Sequence, residues 1–476
     1  MAGSPGEDPM SITKLGKILA TCAVLAAAFL VVSASAESKA RIVRLSEVQG
    51  TVQLDRALGD GFDKAFLNLP VVEGSRLKTG KDGRAEVEFE DGSALRLAPD
   101  SEIDFGRLAL GDDGQKLSTV QLVSGTVYAD LHPKTYGKDK NGDQFQLNFA
   151  VESVSVSEAA HFRVIFGNAN KATVAVFRGK VSAASPTAQF EVAEKHSATI
   201  DLAKEVSKAD PDPKNGDSAK DDSAKKDAVV IAKNFKDDPS DDWDRQQSDY
   251  HNRYASAGGS SIASPYGYGM SDLNYYGNFM SVPGFGNVWQ PYFIGAGWNP
   301  FQAGGFAYYP GAGYMWVSGY PWGWMPFNYG AWAMAPGYGW VWQPGNWNSY
   351  NAFPMVVNAP AGFVVPTAPA SGHQTVMVGS GLTAFPATGA PTRLTIKPNS
   401  AGFGVPRGSV DRLDRFAKTM ARTSRPVEVS TIQPVSGLQL GSGFGASPGL
   451  DASRGAHSPG MAGTQHGSAA PAASHH

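Results

Sequence analysis

The side chains of this 476-residue chain best placed to do chemistry are aromatic, and the chemistry they offer is stacking. Tyr314 and Trp316, Trp322 and Trp324, and Trp340 and Trp342 stand two apart, which puts both rings of a pair on one face of a strand. With Trp289 and Trp298 they make seven candidate tryptophans, Trp289, Trp298, Trp316, Trp322, Trp324, Trp340 and Trp342. Two uses compete for them. Rings of this size can form the core of a small domain, each contributing large apolar area from a short strand. Alternatively, some stay exposed as a platform for sugar rings, peptidoglycan or lipid headgroups. Bond-making chemistry has thinner support. His132, His161 and His196 are far apart with no metal-ligand spacing, and His373 is the only imidazole near the aromatic pairs. The run Asp139-x-Asn141-Gly142-Asp143 has the outline of a calcium loop, but Gln144 and Ala150 stand where the glycine and the bidentate glutamate belong. Gly441 to Gly445 lacks the lysine of a phosphate loop, and His457, His466, His475 and His476 are scattered through a Gly/Ala/Ser tail. No catalytic set, cofactor or metal is expected.

The elements that hold the rings are legible as a repeat. Residues 283–291 (PGFGNVWQP) and 336–344 (PGYGWVWQP) share seven of nine positions, and 310–316 (PGAGYMW) is an intervening copy. Gly297-Trp298-Asn299-Pro300-Phe301 recurs 26 residues later as Gly323-Trp324-Met325-Pro326-Phe327. A period of 26–27 residues with Pro-Gly turns predicts short hairpins that must share an aromatic face, a module over 271–358. Charge is excluded from it. The 120 residues between Asp272 and Arg393 hold no Asp, Glu, Lys or Arg and nine of the ten tryptophans.

Upstream, residues 41–203 read as all-β. Short alternating runs such as Val48 to Leu54, Ala85 to Phe89 and Ala94 to Leu97 are separated by turn residues, with Asp91-Gly92 as a hairpin signal. Such a series suits a β-sandwich or an irregular β-solenoid. Val48-x-Gly50-x-Val52, Leu77-Lys78-Thr79-Gly80-x-x-Gly83-Arg84-Ala85-x-Val87, Asp91-Gly92-Ser93-x-Leu95-x-Leu97, Leu122-x-x-Gly125-x-Val127 and Val174-x-Val176-x-x-Gly179-x-Val181 follow in order. In that order and spacing the segment resembles the FecR domain family. The resemblance implies an envelope-facing, non-catalytic β-domain of a type used in signalling across bacterial envelopes. Sigma-regulating members carry a cytoplasmic helical segment before a membrane span, whereas thirteen residues precede Lys14 here, so the stand-alone secreted type is the expectation. The aromatic segment likewise resembles a Trp/Gly-rich module that follows FecR-like domains, with Pro321 to Pro326 as its core. Phe327 and Ala331 replace the His and Arg of that pattern, which weakens any binding role carried over from it.

The rest of the chain frames these two parts. Lys14 and Lys17, an apolar run from Ile18 to Val32 and Ala34-Ser35-Ala36 read as a signal peptide over 1–36, with an uncleaved anchor as the alternative. Export to the periplasm or cell envelope is expected. Cys22, the only cysteine, lies within that run, so the exported chain would carry no thiol. Residues 204–260 read as a charged, disordered linker: Lys204 to Asp249 holds nine Lys or Arg and thirteen Asp or Glu, though Asp241 to Tyr254 has a weak helical pattern. Residues 359–476 read as a low-complexity tail interrupted by a helix near 409–421, where Val410, Leu413, Phe416 and Met420 share a side. A net charge of −3 without a basic patch argues against nucleic acid. The expected partner is an envelope protein or polysaccharide.

Overall fold

The structure is a computed structural model that describes residues 41–136, 141–167, 170–185, 188–209, 228–255, 264–386 and 392–432. The expected signal peptide, the calcium-like Asp139 and the histidines of the tail lie outside them. Among the described residues, no helix is long and apolar enough to cross a membrane.

Strands dominate, and the first part is a two-sheet sandwich built on one long strand, Lys116–Leu131. Residues 116–124 of that strand pair with Glu102–Leu110 in the first sheet. Residues 125–131 pair with Ala94–Leu97 and Ala160–Phe166 in the second, after a bend at Gly125 (φ 96°). Beyond it, hairpins are laid down alternately. Gln144–Phe149 with Glu152–Val156 joins the first sheet and Ala160–Phe166 with Lys171–Arg178 the second. Lys180–Ala184 with Gln189–Ala193 then returns to the first. The two expectations for this segment therefore coexist: it is a sandwich in its layers and winds onward like a solenoid. Inward side chains of both sheets, including Leu54, Leu77, Val87, Leu95, Ile103, Leu122, Val127, Leu147, Phe162 and Val174, form one core.

Alternation also determines what faces the other way. On the second sheet Glu86 and Glu88 flank Val87, Arg96 lies between Leu95 and Leu97, and Asp130 follows Ala129. These positions would ordinarily meet water. Here they are buried, because the rest of the chain packs on that side.

The aromatic segment contains three hairpins: Gly277–Val282 with Gly286–Pro291, Ala303–Tyr309 with Gly313–Ser318, and Ala331–Ala335 with Gly339–Gln343. Each turns on Pro-Gly-x-Gly, with φ between 72° and 83° at both glycines of every copy. Proline fixes the first turn position, and glycine alone takes the left-handed conformation cheaply at the next, as a type II turn requires. The copies do not stack in sequence order. Hairpins one and three share a sheet through the pair Trp289 and Trp342, while hairpin two pairs with Val376–Gly379.

Two expectations are corrected. Within the supposed linker, Val229–Lys233 pairs with His196–Asp201, and Asp241–Tyr254 is a helix burying Trp243, Asp244, Gln247, Ser248 and Tyr250. Its buried face is polar and aromatic, so charge content concealed its ability to pack. Part of the supposed tail is folded as well. Arg393–Ile396 pairs with Val427–Ser430, and the helix spans Leu413–Thr423. Ile396, Val410, Leu413, Met420 and Val429 complete the aromatic core.

Candidate functional site

All seven candidate tryptophans are buried: Trp289, Trp322 and Trp342 are 0% exposed, Trp324 1%, and Trp298, Trp316 and Trp340 3%. An exposed platform is therefore not what these rings form. The physical reason is supply: the module has few aliphatic residues, and its neighbouring units can bury a shared face only with their aromatics. Trp322 lies at the centre, 4.8 Å from Trp289 between ring centroids and stacked at 4.8 Å and 11° on Tyr320. Trp298 is 6.4 Å from it, and Trp340 packs at 4.8 Å on Phe363. Four of the seven indole N–H groups are spent internally, whereas those of Trp316 and Trp324 are buried without a hydrogen-bond partner among the described residues. Trp289 donates to the Leu273 carbonyl, Trp298 to the Tyr320 hydroxyl, Trp322 to the Ala401 carbonyl and Trp342 to the Tyr329 carbonyl. Tyr314 with Trp316 and Trp340 with Trp342 do lie on strands. Trp322 and Trp324 do not; Trp324 opens a one-turn helix, Trp324–Asn328, because Pro321 and Pro326 flank the pair and cannot serve a strand ladder.

The chemistry-bearing side chains gather instead where the sandwich meets the module. Glu86 and Arg96 are cross-strand partners on the second sheet, and the Arg96 Nε donates to Glu86 at 2.7 Å. The helix Asp241–Tyr254 lies over them: Arg96 also donates to Asp244 at 2.7 Å and to Ser248 at 2.9 Å. Arg44 pairs with Asp272 at 2.6 Å and Glu88 at 3.2 Å, and donates to the Pro321 carbonyl at 2.7 Å. From the far end of the chain, Arg407 reaches Glu86 at 2.5 Å, the Ser46 carbonyl at 2.6 Å, Asp272 at 3.4 Å and Glu47 at 3.6 Å. Five carboxylates and three guanidiniums are thus almost completely buried together.

Charge in so dry a place redistributes protons. Burial pushes Glu47 and Glu88 above the usual carboxylate range. Burial also works against ionisation of Glu86 and Asp272, but their neighbours win: His251, Arg407 and Arg96 hold Glu86 well below that range, and Arg407 and Arg44 hold Asp272 below it.

One constellation here has the order of a catalytic triad. The Ser271 hydroxyl is 3.3 Å from His251 Nδ1, and His251 Nε2 is 3.0 Å from Glu86. A nucleophile must reach a substrate, yet Ser271 is 3% exposed, and Glu86 is already held by Arg96 and Arg407. The arrangement binds helix to sheet rather than opening to a ligand. Asp143, the other candidate ligand, accepts from the backbone amides of Lys116 and Lys134, so its carboxylate shapes a turn. Among the described residues, no three His, Cys, Asp or Glu side chains are placed to hold a metal ion.

None of the seam residues emerges from sequence motifs. Glu86, Glu88 and Arg96 were readable only as the outward positions of alternating strands, and His251, Asp244 and Asp272 as charge near a linker. The one available signal is opposite charge at facing hairpin positions, Glu86 and Arg96, which favours pairing but does not show that the face is covered.

Comparison with known proteins agrees with the strand motifs. Residues 75–182 match the family described as FecR protein, and residues 270–368 match a family of unknown function, DUF6600. The second match contains all three hairpins. Together the matches cover less than half of the chain. Two crystal structures of a proposed anti-sigma factor from Parabacteroides distasonis are similar to part of it, at 14% and 13% identity and TM-scores of 0.23 and 0.24. Each likeness covers 33% of this chain and 59% of the other, so the chain spans less than two thirds of that protein's length. No curated protein matches.

Proposed function

We propose that the protein is an exported, non-enzymatic component of the bacterial cell envelope that works by binding or assembly, with the sandwich and the aromatic module acting as one rigid unit. The observation that carries this reading is the enclosed seam. The acids, bases and rings gathered at the seam are spent on joining the parts, and the triad-like Ser271, His251 and Glu86 have no open approach. Support for the location comes from the FecR match and from the apolar run ending in Ala34-Ser35-Ala36.

The test has two parts. Alkaline phosphatase fused after residue 434 should be active in cells and should co-sediment with the envelope; an inactive fusion would remove the export reading. Purified residues 37–476 should then bind isolated envelope material equally well with His251→Gln, since no catalytic step is involved. The FecR match also favours a signalling form of this reading, in which an uncleaved N-terminus anchors the unit. N-terminal sequencing of the mature protein separates the two forms.

A further inference from the structure

Four separated stretches of the chain meet around a cleft of about 370 Å³, within the roughly 300–1,000 Å³ of small-molecule sites. They are the end of the helix Asp241–Tyr254, the helix Met270–Tyr276, the residue Tyr292 just past the first hairpin, and the start of the helix Leu413–Thr423. The walls are aromatic. Tyr254 and Tyr275 contact each other edge to face at 5.0 Å, and Tyr292 lines the space with them. The Tyr275 hydroxyl donates to the Val410 carbonyl and accepts from the Val410 amide, which fixes the strand of chain leading into the rim. Neither the Tyr254 nor the Tyr292 hydroxyl bonds to another described residue, and both rings are only partly buried. Asn274 donates to the Tyr254 carbonyl at 2.7 Å, while its Oδ1 has no donor among the described residues.

The rim supplies ions in equal number. Arg253 and Asp411 are 3.4 Å apart, with side chains 64% and 66% exposed. Arg412 grips Asp414 through two hydrogen bonds, at 2.8 and 3.0 Å. Two guanidiniums and two carboxylates cancel, so an anionic ligand would meet Asp411 and Asp414 and a cationic one Arg253 and Arg412. A neutral polyol suffers neither repulsion. Its hydroxyls both donate and accept, so one can bridge a carboxylate and a guanidinium, while the C–H face of a sugar ring lies against a tyrosine.

We propose that this cleft binds a neutral saccharide, with Tyr254 and Tyr292 as the stacking rings and Arg253, Asp411, Arg412, Asp414 and Asn274 as the hydroxyl-binding groups. The proposal rests on the reading of the protein as a non-enzymatic binding unit and gives that unit a ligand class. It also relocates sugar recognition from the buried tryptophans to partly exposed tyrosines at the module's edge.

The test is calorimetric titration of the purified protein with a panel of neutral oligosaccharides that includes N-acetylchitotetraose and maltotetraose, with tetra-aspartate as a charged comparison. Saturable binding of a neutral sugar is expected. It should weaken at least tenfold in Tyr292→Ala and in the double variant Arg253→Ala/Asp411→Ala, whose exposed side chains leave the fold undisturbed, as circular dichroism checks. Binding of no neutral sugar, binding unaffected by both variants, or preference for tetra-aspartate would overturn the site. Mass spectrometry of the titrated sugar separates the two readings. Shortened products would sink the non-enzymatic reading while keeping the site, whereas loss of sugar binding with envelope association intact would sink only the site.

Discussion

Arg407 illustrates how much a single side chain holds together here. It faces Glu86, Glu47 and Asp272, lies over the ring of Tyr250 at 5.1 Å, and reaches the seam from more than 300 residues beyond Glu86. Truncating one partner of a buried ion pair leaves uncompensated charge and costs about 3–5 kcal/mol, whereas an exposed pair is worth roughly 0–1. Arg407→Ala should therefore lower the free energy of urea unfolding by about 3–5 kcal/mol. Arg393→Ala, which breaks an exposed pair with Glu428, should change it by less than about 1 kcal/mol. Equal effects would show that the buried network contributes no more than a surface contact. Glu152 behaves oppositely. It is 3% exposed, both carboxylate oxygens lack hydrogen-bond partners among the described residues, and burial together with Glu205 pushes it up to about 7. An unfolded glutamate titrates near about 4.3. The folded state thus holds the proton more tightly, and stability attributable to this group is lost as pH rises from about 4.3 to about 7. Glu152→Gln should consequently raise the melting temperature relative to the parent at pH 8 and leave it nearly unchanged at pH 4. An equal gain at both pH values would mean that ionisation is not the cause.

A rule that the repeat follows appears only when the hairpins are seen in three dimensions. Twelve residues before each of Trp289, Trp316 and Trp342 stands a glycine, Gly277, Gly304 or Gly330, and each indole covers the glycine across its hairpin. A Cβ at Gly277 or Gly304 would come within 2.4 Å of the indole Cζ2, and one at Gly330 within 2.8 Å of the indole nitrogen. The ring occupies the space a side chain would need, so glycine and tryptophan must recur together. Gly304→Ala should displace the Trp316 ring, destabilise the protein by about 1–3 kcal/mol through overpacking, and shift tryptophan emission. Gly311→Ala, at a turn where a Cβ meets nothing within 4 Å, should cost about 1–2 kcal/mol through its positive φ and leave emission unchanged. Identical emission in both variants would refute the role of the covering ring. This contrast also explains what the sequence discloses. Pro-Gly-x-Gly turns, Asp91-Gly92 and period-two alternation are local chemistry, so the three hairpins and the strands of the sandwich could be read from residues alone. Burial of Glu86 and Arg96 could not, because their strand pattern is the same whether water or a helix covers them. The helix Asp241–Tyr254 was legible as a weak pattern, but its packing was not, since its packed face carries Asp244, Ser248 and His251 instead of an apolar stripe. The seven tryptophans stand out in the sequence by type and spacing, but type and spacing do not distinguish a core from a platform; only their neighbours do, and these bury them.

For the molecule as a whole, the sandwich and the aromatic segment are joined by further contacts outside the ionic seam, and the two parts depend on them unequally. Tyr309 donates to the Pro70 carbonyl, Asn68 donates to the carbonyls of Ser318 and Tyr320, and Arg56 donates to the Tyr308 carbonyl. Ala307, Tyr309, Met315 and Val317 of the second hairpin belong to the sandwich core rather than to the aromatic one. The sandwich alone, residues 41–203, would keep its two-sheet interior and expose Arg44, Glu86, Glu88 and Arg96, which water can solvate, together with the limited apolar surface under the second hairpin. Residues 264–434 alone would lose the cover over the second hairpin and leave Asp272 without Arg44, in a segment whose 120 residues from 273 to 392 carry no charge to keep them soluble. Expressed separately, the sandwich fragment should therefore give a cooperative thermal transition, and the aromatic fragment should aggregate or lack one. Adding the sandwich fragment, extended to residue 255 so that the helix over Arg96 is included, should rescue the aromatic fragment as a stoichiometric complex. A cooperative transition in isolated residues 264–434 would show instead that the aromatic core is sufficient and that the seam merely docks two finished domains.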